Sequence, residues 1–143
     1  MKFEINLKKN KDIDYSNKSS KIQKEMLNKT GLKAYTSVKD KTPKRTGELR
    51  GAWSMTKNSQ QVKIQNKLPY ALYLEAGTGI YGNRGAPIFP KTAPFLQFEI
   101  DGQIIRTLSV KGIKPVKMAE KTIDEIEKQL PVLWSETIER CMK

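Results

Sequence analysis

Histidine is absent from all 143 residues, and cysteine occurs once, at Cys141. The first absence removes the commonest general base and the commonest metal ligand together, leaving triad and metal chemistry little to work with. The second forbids an intrachain disulfide and suits a reducing compartment, with Cys141 read as a small apolar helix residue. No window approaches the roughly 18 apolar residues of a membrane span, and Met1-Lys2-Phe3-Glu4-Ile5-Asn6 contains no secretory apolar core. These gaps lead us to expect a soluble protein made in the cytosol, with no cofactor, no metal and no membrane partner.

A further absence decides the most suggestive motif. Gly77-Thr78-Gly79-Ile80-Tyr81-Gly82 matches G-x-G-x-x-G and has Glu99 and Asp101 about 20 residues on, the offset of a dinucleotide fingerprint. That fingerprint works through a helix whose N-terminal amides hold the pyrophosphate, and here Asn83-Arg84-Gly85-Ala86-Pro87 follows, with Pro90 and Pro94 beyond. The same stretch read as a P-loop lacks the Lys and Ser/Thr that would meet phosphate and magnesium, since Asn83 and Arg84 stand there. Both nucleotide readings fail on what should come next.

Positive charge is what the chain has in excess, at a formal +12. Residues 1–50 hold 14 Lys/Arg against 6 Asp/Glu, residues 51–100 hold 5 against 2, and residues 101–143 hold 8 against 7. Such a field suits phosphate backbones or acidic protein surfaces, and a well-solvated Lys-rich face is the plainer alternative.

Length predicts one domain. Phe3, Ile5 and Leu7 alternate as in a half-buried strand, which Lys8-Lys9-Asn10-Lys11 ends. From Ser19, Ile22, Met26, Thr30, Ala34 and Val38 recur every fourth residue, predicting an amphipathic helix to about Asp40 with a capping box at Ser20 and Gln23. Gly31 inside it implies a break or a close contact. Thr46 reads as the N-cap of a short helical turn through Leu49 and Arg50. Trp53/Met55 and Val62/Ile64 form two antiparallel strands around Asn58-Ser59-Gln60.

Pro69 opens a short helix over Tyr70 to Ala76, and Gly77 is its left-handed stop. Residues 77–94 are a long, flexible Gly/Pro loop carrying Ile80, Tyr81, Ile88 and Phe89, which need a surface to bury against. Phe95–Ile100 and Gln103–Val110 flank the tight-turn dipeptide Asp101-Gly102. A final helix starts at Pro115 and runs Met118, Ala119, Ile123, Ile126, Leu130, Leu133, Trp134, Ile138 and Cys141, with a kink or a division at Pro131. The pattern predicts an α+β fold: a small antiparallel or mixed sheet, an N-terminal amphipathic helix and a long C-terminal one.

Several of these residues occur in a known order. Thr42-Pro43-x-x-Thr46-Gly47-x-Leu49-Arg50, a hairpin, Tyr70-Ala71-x-Tyr73-x-Glu75-x-Gly77-Thr78-Gly79, Pro94-Phe95, and Gly112-x-Lys114-Pro115 before a last helix resemble the phage neck and tail-completion family, the small proteins similar to the minor tail protein Z of lambdoid phages. The resemblance covers roughly residues 19–140, and Met118 departs from it where many relatives carry an aromatic residue. It implies a single neck or tail-completion domain over 1–143 without catalysis. The subunit would form a hexameric or dodecameric ring at the head-tail junction or the head-proximal end of the tail. Its neighbours would be neck, head-completion or tail-terminator proteins, with a passing contact to genomic DNA. It would reside in the virion after assembly in the bacterial cytoplasm.

Thr46 and Gly47 read as a cap and a tight corner, Glu75 as an acceptor for loop amides or a neighbour's lysine, and Gly77 to Gly79 as a sharp turn. Head-to-tail ring contacts would draw on the loop from Ile80 to Phe95 and on the C-terminal helix at Leu133 and Trp134. A basic nucleic-acid-binding module is the competing reading, resting on the N-terminal charge, and a nucleotide-using enzyme has only the glycine coincidence behind it.

Overall fold

The computed structural model describes residues 1–7, 17–45 and 47–143, with residues 17 and 18 described by backbone alone. The Lys8–Lys11 stop and the Thr46 cap fall outside the described residues. Contacts divide the chain into two compact units, residues 1–68 with 118–143, and residues 69–117. Helices and small antiparallel sheets are both present, as an α+β fold requires.

In the first unit the apolar alternation produces β1 (Lys2–Asn6), β2 (Trp53–Lys57) and β3 (Gln61–Asn66), with β3 central and antiparallel to both neighbours. The register sets Phe3, Ile64 and Met55 side by side and Ile5 beside Val62, while Glu4, Lys63 and Thr56 share the opposite face. A one-residue slip would exchange the two faces, so burial of Val62 and Ile64 holds the pairing. The Asn58 amide donates to Gln61 O and the Asn58 side chain accepts from the Gln60 amide, which closes the turn.

Helix α1 (Asn17–Lys41) buries Met26, Thr30, Ala34 and Val38, the fourth-residue stripe. It begins before Ser20, which is therefore an interior helical residue and caps nothing. Gly31 does not break the helix. A Cβ there would lie 2.8 Å from Val62 Cγ1, so the missing side chain is what lets α1 approach β3.

Helix α4 (Met118–Met142) runs antiparallel to α1, because partners ascend on one helix and descend on the other: Glu25 with Arg140, Lys29 with Glu136, Lys33 with Gln129, and Ser37 and Lys41 with Glu125. Its inner stripe is Met118, Thr122, Ile126, Leu133 and Thr137. The Thr122 and Thr137 hydroxyls donate to the carbonyls of Met118 and Leu133, which satisfies them inside the seam. The helix starts three residues later than Pro115, after Lys117 in a left-handed conformation (φ 58°). It continues through Pro131 as one element. That proline is exposed, so the carbonyl it leaves without an amide faces water and not the packed seam. Leu133, expected at an interface between subunits, is only 1% exposed and belongs to this unit's own core.

The second unit contains α3 (Tyr70–Ala76) and an antiparallel hairpin of β4 (Leu96–Ile100) and β5 (Gln103–Thr107). Asp101 and Gly102 both take positive φ (51° and 80°), as a two-residue hairpin of this hand requires. β5 stops at Thr107 and not at Val110. The Thr107 hydroxyl donates to Ser109 O, and Val110 bridges to Ile88 in place of a β4 partner.

Candidate functional site

Pro69 occupies the position before α3 with φ −59°, already helical, and Ala71 is the helix residue turned fully inward. The Gly77 amide donates to Tyr73 O and ends the helix. Gly77 then adopts φ 79° and ψ 166°, an extended positive-φ conformation open essentially to glycine alone, and not the left-handed stop expected. Thr78 follows as a two-point clamp: its amide donates to Ile113 O at 2.9 Å, and its Oγ1 accepts from the Ile113 amide at 2.9 Å.

The returning segment orders the long loop. Ile80 N–H donates to Lys111 O, Ile88 and Val110 exchange both backbone bonds, and Val116 N–H donates to Leu74 O. Gly79 (φ 62°) and Gly112 (φ 99°) lie where these segments cross, and Pro115 Cδ sits against Gly77. The structure thus brings Gly77, Thr78, Gly79, Gly112 and Pro115 together. Residues 79–81 form a short 3₁₀ turn within the loop.

Beside this crossing lies a groove of about 540 Å³ within the second unit. Leu72, Tyr73, Ile88, Phe89 and Pro87 supply its apolar wall, while Arg84 and Lys91 supply charge; no carboxylate is among its lining residues. Ile80, Tyr81, Ile88 and Phe89 remain exposed, Phe89 at 62%. Lys114 Nζ stands 5.7 Å from the Tyr81 ring centre, and the Arg106 guanidinium 5.2 Å from that of Phe95, both within cation–π reach. Pro94 is exposed with Phe95, while Tyr70 is exposed and Glu75 half-buried on α3.

The other motif block builds a corner in the first unit. Thr42 is buried, accepts from Trp53 Nε1 at 2.8 Å and donates to Val38 O at 2.6 Å, tying the end of α1 to the start of β2. Pro43 is exposed just beyond. Gly47 (φ 76°) stands at the N-cap of α2 (Glu48–Gly51), whose Leu49 is buried. Asn66 donates to Leu49 O and accepts from the Leu68 amide. Asn66 was not singled out in the sequence, where nothing but its place at a strand end marks it.

Titration is perturbed along the α1–α4 seam. A hydrogen bond from Lys41 and another from Ser37 hold the Glu125 carboxyl below its ordinary range, and Lys29 does the same for Glu136. Glu25 is lowered by the Cys141 thiol and by Arg140, while burial and Glu25 push the thiol up. Among the described residues no group of three His, Cys, Asp or Glu is placed to hold a metal, and no helix is long and apolar enough to cross a membrane. The groove, with apolar walls and two cationic side chains, suits docking of an apolar or acidic segment.

A family model described as "Bacteriophage HK97-gp10, putative tail-component" matches residues 5–77. The chain belongs to this family of phage tail components. The matched stretch holds the Thr42–Leu49 corner and α3 as far as Gly77, stops before Thr78 and Gly79 of the second block, and covers half of the tail component's length. Family membership makes it a structural tail protein of the virion. No curated protein and no solved structure matches it.

Proposed function

We propose that this tail component assembles with copies of itself into a ring at the head-tail junction or the head-proximal end of the tail. There it completes the tail and joins it to the head. The family match over residues 5–77 carries the reading. The second unit supports it: Ile104 and Leu108 are exposed at 65% and 71%, and an isolated two-stranded hairpin with apolar residues in the open is marginal in water and gains stability from a neighbour. The component would act by fitting against copies and adjoining neck, head-completion or terminator proteins, in the manner of proteins such as minor tail protein Z. Single-domain behaviour of the full chain and a passing contact with DNA belong to the same proposal. Direct nucleic-acid binding gains less, because Lys29 and Lys41 of the basic N-terminal third are engaged with Glu136 and Glu125.

Sedimentation of the purified chain and electron microscopy of particles with the component labelled test this together. A closed ring in solution and label at the head-proximal tail end are expected. A strict monomer that is absent from purified particles would sink the reading.

A further inference from the structure

Along α4, an exposed arc flanking the buried stripe carries Ile123, Glu127, Trp134 and Ile138 in helical succession, with Asp124 beside them. Ile123, Trp134 and Ile138 are exposed although each is apolar. The carboxylates Glu125 and Glu136 are engaged by α1, whereas Asp124 and Glu127 have no ion-pair partner among the described residues. α4 as a whole holds six acidic and three basic residues in a chain of net +12. The second unit is its electrostatic opposite, with six Lys/Arg and three Asp/Glu over residues 69–117, and its groove pairs apolar walls with Arg84 and Lys91.

We propose that the groove beside the Gly77-Thr78-Gly79 turn of one copy receives the outward face of α4 from a second copy, with Trp134 as the anchor and Asp124 and Glu127 meeting Arg84 and Lys91. The contact rests on the ring reading given above and specifies which surfaces make it. Three features select this occupant. An amphipathic helix laid in an apolar groove is an established mode of recognition, and Trp is among the residues that dominate such contacts. Asp124 and Glu127 on one patch are complementary to Arg84 and Lys91 on the other. Two different patches that fit each other make a head-to-tail contact, which closes into a ring when the rotation between copies allows.

Sedimentation equilibrium of the full chain at low salt tests the contact. Arg84→Glu with Lys91→Glu, and separately Asp124→Lys with Glu127→Lys, should each weaken association by about tenfold or more, and mixing the two reversed proteins should restore a strong one-to-one contact. Trp134→Ala should weaken association by roughly 30-fold. All five positions are at the surface, and an unchanged circular dichroism spectrum verifies folding. Wild-type rings insensitive to both reversals would overturn the α4-groove contact and leave the ring reading standing. A wild-type chain that stays monomeric at every concentration would overturn both.

Discussion

Gly79 and Gly112 meet backbone to backbone. A Cβ built on Gly79 would lie 2.9 Å from Gly112 Cα, and one built on Gly112 would lie 2.8 Å from Gly79 Cα. Both residues also hold positive φ, so two separate reasons demand glycine at each. Gly79→Ala or Gly112→Ala should therefore destabilise the second unit by more than about 2 kcal/mol. Limited proteolysis would show rapid cleavage in residues 77–94, and hydrogen exchange would show lost protection at the Thr78 and Ile80 amides. Wild-type protection in either variant would contradict the crossing.

Gly31→Ala poses a contest between two terms. Helix propensity favours alanine by about 1 kcal/mol, while pressing a Cβ onto the buried methyls of Val62 costs about 1–3 kcal/mol. Net destabilisation is expected in urea denaturation. In a double-mutant cycle with Val62→Ala, the second substitution should recover part of the loss, giving a coupling of about 1 kcal/mol.

Two buried threonines should respond oppositely. Among the described residues, Thr30 Oγ1 is a buried side-chain oxygen without a hydrogen-bond partner, so Thr30→Val should stabilise the chain by about 1 kcal/mol. Thr42→Ala instead strands the Trp53 indole N–H and should cost about 1–3 kcal/mol. Chemical denaturation of both variants decides the pair of signs.

Acid should loosen the α1–α4 seam. Glu25, Glu125 and Glu136 titrate below the ordinary 4.5 in the folded chain, so the stability they contribute is fully present above that value and is lost as pH falls through their lowered folded values. The melting temperature should be flat through neutral pH and decline below 4.5, and Glu125→Gln should make that decline shallower.

Tyr81→Ser combined with Phe89→Ser should leave a folded monomer yet impair assembly, since both side chains are already exposed. Far-ultraviolet circular dichroism and sedimentation of the same sample separate the two effects. Loss of folding would show that these rings act as core.

Local chemistry made much of this fold legible. The Phe3/Ile5 and Val62/Ile64 alternations became strands, and Asp101-Gly102 became the turn it resembles. α3 spans Tyr70–Ala76 between Pro69 and Gly77 as expected, although Gly77 ends it in an extended and not a left-handed conformation. Pro115 and Val110 were each read as element ends from their own neighbourhood, while the chain there pairs with distant residues, Val116 N–H with Leu74 O and Val110 with Ile88. β5 ends early because Val110 has a distant partner in Ile88. The geometry around the motif residues was not legible, since Thr42 and Asn66 owe their contacts to groups brought near only by folding.

By itself the sequence determined the periods, the turns, the surplus of positive charge and the family, because each depends on residue type and spacing along the chain. Tertiary structure alone decided which arc of each helix is covered. Leu133 and Trp134 are adjacent and both apolar, yet about 100° of helix rotation puts one in the α1–α4 seam and the other in the open. Periodicity announces that a stripe exists; only packing against α1 selects which residues it buries.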